Sequence, residues 1–371
     1  MDNKYYITLF LYFAVISGAV IFAFLAYKRK YILGKTGRMV LRVEIKKGWM
    51  LMSFVLLWGL LAFADCGKDY HTYKDLFDNA KDLHYTIGYH EIEIGFAFVN
   101  YYIRSITDSF IIYNIIVSFF FLFLIYETLY KLKNYIHFGW AVLAVSTMSY
   151  LQFMNLKRIY IAAAIIFWAM QFLIGKKYVK YFLSVILASL IHTSAAIMFL
   201  TPCMQLLLRI KFKRWHLIFF SLLGFFLIYE FRYQIFSIVI SSRYEQYGVV
   251  ETTVGLAQFV YHVPFLFLII RNNKGKTQLE QISFILILFS FIVSSLGYFI
   301  SMVGRMYVYF VFGFASTPSL VMSEKKIHFK NVNYQTFICV FFVLYFFMRI
   351  MIYCKTSLYL DGIMPYTSVL F

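Results

Sequence analysis

Apolar runs of about 15 to 23 residues recur along the chain, each bounded by Lys, Arg, Asp or Glu, beginning with Tyr5 to Tyr27. A helix rises about 1.5 Å per residue and the hydrocarbon core of a bilayer is about 30 Å thick, so such runs predict membrane-crossing helices. Further crossings are expected to start near Trp49, Ser109, His137, Ile159, Tyr181, Thr193, Trp215, Gly255, Gln281, Gly304 and Tyr334, for about 12 in all. The first run has no small-residue cleavage site behind a basic start and reads as a retained span rather than a secretory signal. The expected fold class is all-α: a polytopic integral membrane helix bundle, with residues 1–371 forming a single transmembrane domain.

One stretch strains this scheme. Tyr181 to Leu208 is apolar throughout yet carries basic clusters at both ends, which calls for an even number of crossings. Two crossings of about 14 residues reach only about 21 Å each, so the tip of such a hairpin, near His192, would lie below the membrane surface. The rival is one long helix broken near Pro202.

Composition sharpens the picture. A chain that is 62% hydrophobic and 14% charged cannot clothe a soluble globular surface. Its net charge of +18 would suggest a nucleic-acid partner in a soluble protein. Here most of the 35 lysines and arginines fall in alternate short loops, starting with Lys28 to Lys47, so they mark those loops as cytoplasmic and no nucleic acid is expected. The segment 65–108 then lies outside as an extracytoplasmic acidic loop, with its acids concentrated between Asp65 and Gly95. Within it Tyr70, Tyr73 and Phe77 recur at helical spacing, and Ile94 to Ile106 is amphipathic, so short surface helices are expected. The four cysteines show no zinc-binding spacing, and only Cys66 and Cys354 fall outside, which allows at most one disulfide.

The polar residues left over carry the candidate chemistry. In Asp69-Tyr70-His71-Thr72-Tyr73, aromatic faces beside a carboxylate suit sugar rings and their hydroxyls, although a solvated acidic loop is the plainer account. Lys157 and Arg158, Arg243 beside Tyr244 and Tyr247, and Arg305 share the outer level, against the positive-inside trend. Snorkelling to headgroups would explain single cases; together they resemble an anion site, since guanidinium binds phosphate bidentately and stays charged near a low dielectric. His192, alone in an apolar stretch, is either a hydrogen-bonded packing residue or a proton acceptor.

Taken in order, Asp69-Tyr70-His71-Thr72-Tyr73, Glu93-Ile94-Gly95-Phe96, Asn155-Leu156-Lys157-Arg158-Ile159-Tyr160-Ile161-Ala162, Ile191-His192-Thr193-Ser194-Ala195, Arg243-Tyr244-Glu245-Gln246-Tyr247, Arg305 with Tyr309, and Pro365-Tyr366 resemble the EpsG-like branch of the Wzy-type bacterial polysaccharide polymerases. The chain departs from that pattern at Ile159, where the family commonly has Gln or Glu after the arginine. The resemblance implies a GT-C-like polymerase or ligase architecture in the bacterial plasma (inner) membrane, with its active site facing the periplasm or cell exterior. It implies a glycosyltransferase that joins undecaprenyl-diphosphate-linked oligosaccharide repeat units into O-antigen, capsule or exopolysaccharide, with no cofactor, metal or nucleotide sugar. Its partners would be the lipid-linked glycan donor and acceptor, membrane lipid and a chain-length regulator.

On this reading Arg158, Arg243 and Arg305 bind the diphosphate, and Tyr70, Tyr73, Tyr244 and Tyr247 bind sugar. His192, Glu93 or Asp69 supplies the catalytic base, and the sequence leaves that choice open. Three alternatives share parts of the pattern. A lipid-linked oligosaccharide flippase would favour internal repeats, and none is evident. A membrane O-acyltransferase would use His192 but leave the arginines idle. An O-antigen ligase would differ only in its acceptor.

Overall fold

A computed structural model describes residues 3–33, 39–89, 92–209, 214–231, 233–234, 257–272, 277–322, 328–329 and 332–369. The chain forms two compact units, one of Met1–Ala196 with Lys325–Phe371 and the other of Ile197–Glu324. Among the described residues, Asn3–Ala26, Phe110–Lys131, Lys157–Ile174, Gln278–Leu296 and Tyr334–Thr356 are long and apolar enough to cross a membrane, and several shorter apolar helices accompany them. The protein is therefore a multi-pass, predominantly helical membrane protein.

In the first unit, α1 (Asn3–Ala26) packs on α2 (Lys47–Ala62), and α2 packs on α6 (Phe110–Lys131). Behind α6 follow α8 (Lys157–Ile174) and α9 (Tyr178–Ile191), while α7 (Phe138–Met148) sits against α1. The acidic segment folds into α3 (Tyr70–Asp78), α4 (Leu83–Tyr89) and α5 (Ile94–Ile106). Tyr73, Leu76 and Phe77 supply the buried stripe of α3, and Phe96, Ala97, Asn100 and Ile103 that of α5. The basic segment after α1 is not a bare loop but an antiparallel hairpin, β1 (Tyr27–Leu33) with β2 (Met39–Ile45). Val43 and Ile45 are buried and Glu44 between them is exposed, the period-two pattern of a strand. Glu44 also pairs with Lys30 across the hairpin.

In the second unit α10 (Leu200–Arg209), α11 (Arg214–Glu230), α12 (Ala257–Asn272), α14 (Ser301–Gly304) and α15 (Val311–Met322) gather around the buried α13 (Gln278–Leu296). Small polar side chains tie this bundle: the hydroxyls of Ser283 and Ser316 lie 2.6 Å apart, and His262 Nε2 is 3.0 Å from the Ser290 hydroxyl. The stretch Tyr181 to Leu208 breaks at His192, whose extended backbone ends α9 and is followed by a 3₁₀ segment, Thr193–Phe199. Pro202 is not the break; it stands in the first turn of α10, where a missing N–H removes no helical bond.

The helices of the first unit sort their polar ends. Tyr27 at the end of α1 stacks on His137 at the start of α7, so the hairpin and the Lys131 and Lys133 turn share one end. Lys176 and Lys177 join α8 to α9 away from Arg158 and His192. At the opposite end lie the starts of α6 and α8, the end of α9 and a C-terminal tail after α16 (Tyr334–Thr356).

That tail is clasped to the segment after α2. Gly67 N–H donates to Gly362 O, and Lys68 N–H to Asp361 O, each at 2.8 Å; the Tyr12 hydroxyl donates to Ile363 O at 2.6 Å. Gly362 has φ +68, and a Cβ there would lie 2.6 Å from Lys68 N, so only glycine fits. The Asp361 carboxylate accepts from Asn155 Nδ2 at 3.1 Å and from the Tyr353 hydroxyl at 2.6 Å. Asn155 in turn accepts from the backbone N–H of Asp69 at 3.1 Å. Asp361→Ala removes a charged acceptor from two donors and is expected to lower unfolding stability by about 2 to 5 kcal/mol, read by thermal unfolding in detergent. An unchanged melting temperature would mean that the tail does not brace this end.

Candidate active site

Glu93 precedes α5 with extended backbone, which turns its side chain away from that helix and toward α8 and α9. Its Oε2 accepts from Arg158 Nη1 at 2.8 Å, and its Oε1 lies 2.8 Å from His192 Nδ1. The Thr193 N–H adds a third bond to Oε1 at 3.2 Å. A carboxylate has no proton to give, so Nδ1 is the donor, and a neutral imidazole then presents Nε2 as its acceptor. The side chains of Glu93, Arg158 and His192 are 13, 22 and 18% exposed, covered but reachable.

Two local features permit this meeting. A Cβ on Gly95 would lie 2.7 Å from Leu190 O, so the start of α5 can rest on the end of α9 only because position 95 is glycine. The helix break at His192 frees its imidazole and the Thr193 N–H to point at the carboxylate. Arg158 lies in the first turn of α8, and its backbone N–H donates to the Tyr73 hydroxyl at 3.4 Å.

Burial by itself would raise the Glu93 pKa. The hydrogen bond from His192 and the charge of Arg158 outweigh burial and hold it at about 2, below its ordinary 4.5. Glu93 is therefore an ionised clamp at neutral pH and a poor proton acceptor.

The neighbouring cation has a different place. Lys157 is buried, with its ammonium over the rings of Tyr70 at 5.5 Å, Tyr73 at 5.3 Å and Phe110 at 6.0 Å. It also donates to Met154 O at 3.3 Å. It is a packed cation and does not snorkel. Tyr73 is likewise buried, while Tyr70 is half-buried with its ring edge-on to Phe110. Asp69 stands just before α3, tied through its N–H to Asn155, two residues before Lys157.

Arg305 belongs to the second unit, where it is exposed at the start of a 3₁₀ segment, Arg305–Phe310. Arg243, Tyr244 and Tyr247 lie outside the described residues. All four cysteines are free; Cys66 and Cys354 are buried, and burial pushes the Cys66 thiol pKa up. Asp361, Tyr353 and the Asn155 side chain, which brace this end, carry little signal in the sequence. A lone amide before Lys157 and an acid beside a tail glycine were the available signals.

Because Glu93 titrates below its unfolded value, its pairing stabilises the fold above about pH 4.5 and is lost as pH falls toward 2. The melting temperature should fall across that window in the wild type and fall less in Glu93→Gln. Equal pH slopes for the two proteins would contradict the clamp.

The EpsG family model matches residues 47–368, a span that includes Glu93, Arg158, His192, Asn155 and Asp361. No curated protein and no solved structure matches the chain. The match covers most of the sequence, and this multi-pass membrane protein belongs to the EpsG family.

Proposed function

We propose that the protein is a membrane glycosyltransferase that polymerises undecaprenyl-diphosphate-linked oligosaccharide repeat units into surface polysaccharide. Membership of the EpsG family supports a polysaccharide-polymerase type of enzyme. The observation that carries the finer reading is the Glu93 carboxylate bridging Arg158 and His192, an anion-binding cation and a proton acceptor held on one clamp.

In the proposed reaction a hydroxyl of the incoming unit attacks the anomeric carbon of the growing glycan. The new C–O bond forms as the bond to the diphosphate oxygen breaks, and the anomeric configuration inverts. The hydroxyl proton passes to His192 Nε2, whose tautomer and orientation are set by Glu93 through Nδ1. The departing diphosphate keeps the bonding electron pair, and its charge falls on the Arg158 donors that Glu93 does not occupy. Of the three candidate bases, this arrangement favours His192, with Glu93 as a positioning residue. Tyr73 and Lys157 support the backbone and rings around Arg158, and Asp69 and Tyr70 remain for sugar hydroxyls and faces.

The basic ends of the first unit's helices lie opposite this cluster, which by the positive-inside rule supports a site facing the cell exterior or periplasm of a bacterial plasma membrane.

Purified protein given lipid-linked repeat units should produce a ladder of polymer, whereas addition of a single glycan would indicate a ligase. His192→Gln should lower turnover by about 10² to 10⁴ without loss of folded protein. Arg158→Lys should lose most activity, because a point charge cannot reproduce the guanidinium fork and Lys157 is enclosed by rings. Full polymerisation by Arg158→Lys would refute bidentate recognition of the diphosphate.

A further inference from the structure

Directly beside the Glu93, Arg158 and His192 cluster runs an apolar cavity of about 710 Å³, walled by α5, α6, α8 and α9. Three of its walls begin at the charged cluster. The α5 wall starts at Gly95, two residues after Glu93; the α8 wall at Ile161, three after Arg158; and the α9 wall ends at Ile191, next to His192. On α8 the lining continues to Trp168, ten residues beyond Arg158, about 15 Å along the helix and half of a hydrocarbon core about 30 Å thick. Tyr102, Phe120 and Leu187 on its rim are each half or more exposed, so the groove opens sideways, out of the bundle.

The lining itself is apolar throughout, and the Glu93, Arg158 and His192 cluster adjoins one end of it through Gly95, Ile161 and Ile191. That is the form of a receptor for an amphiphile with an anionic head and a long apolar tail. A second copy of the chain or a partner helix would use the apolar walls but make no use of the Arg158 donors that Glu93 leaves open at one end. We propose that the groove binds the isoprenoid chain of the lipid diphosphate, with the diphosphate at Arg158 and the chain running between α5, α6, α8 and α9 toward the middle of the bilayer. The proposal rests on the polymerase reading for the identity of the head group. The chain's role would be to hold the glycosyl diphosphate at a fixed depth, so that the anomeric carbon stops beside His192.

The test is photolabelling of purified protein in nanodiscs with a polyprenyl diphosphate that carries a diazirine in its isoprenoid chain. Labelled peptides should map to α8 and α9. Ile161→Trp should reduce labelling at least tenfold, and so should Leu187→Trp from the facing wall. These positions are partly exposed, and a melting temperature within a few degrees of the wild type identifies a folded variant; either one suffices. Excess unlabelled polyprenyl diphosphate should compete, whereas dioleoyl phosphatidylglycerol should not. Labelling elsewhere, labelling unchanged in folded variants, or equal competition by the phospholipid would overturn the proposal, the last by assigning the groove to bulk lipid. Because labelling needs no turnover, a wild type that labels as expected but makes no polymer would defeat the polymerase reading and leave the groove assignment standing.

Discussion

A charged group out of reach of bulk water is expensive unless it meets an opposite charge and its hydrogen bonds are filled, and the largely covered Glu93 meets that condition through three donors. Once the carboxylate is there, Arg158 and His192 are committed to it, and with them the start of α8 and the end of α9. Much of the unit's geometry follows from satisfying this one anion. Gly95 allows α5 to approach α9, the break at His192 turns the imidazole toward the carboxylate, and Tyr73 receives the Arg158 backbone.

The same end of the bundle is braced from outside the cluster. The C-terminal tail, Asp361 and Asn155 fix the segment that leads from α2 into α3, and this segment carries Asp69 and Tyr70. Lys157 fills the space between that segment and α6 with an ammonium over aromatic rings, so a second cation sits near Arg158 without competing for its ligand. Charged residues at this end thus divide between Lys157 and Asp361, which hold the wall together, and Glu93 and Arg158, which form the cluster.

Much of the fold was legible in the residues. Hydrophobic run length predicted helices beginning near Trp49, Ser109, His137, Ile159 and Tyr334, and α2, α6, α7, α8 and α16 start within a few residues of these. Ring spacing at Tyr70, Tyr73 and Phe77 predicted α3. The hairpin at 27–45 was not legible, because a cluster of lysines and arginines dominates its sequence signal over the alternation of Val43, Glu44 and Ile45. The site was legible as a set of residue types but not as a set of pairs. Glu93 is 65 residues from Arg158 and 99 from His192, and periodicity does not indicate which distant helix ends will meet. Nor does sequence distinguish a buried Lys157 from its reachable neighbour, since that depends on which face of the first turn of α8 meets α3.

The central claim is that Glu93 acts through His192 rather than alone, and a double-mutant cycle on polymer formation tests it directly. With Glu93→Gln, His192→Gln and the double variant compared in purified protein, a clamp and its base should be strongly non-additive, by about 1 to 3 kcal/mol, with the double variant scarcely slower than His192→Gln. Rate losses that simply add would show the two residues acting independently and would contradict the account.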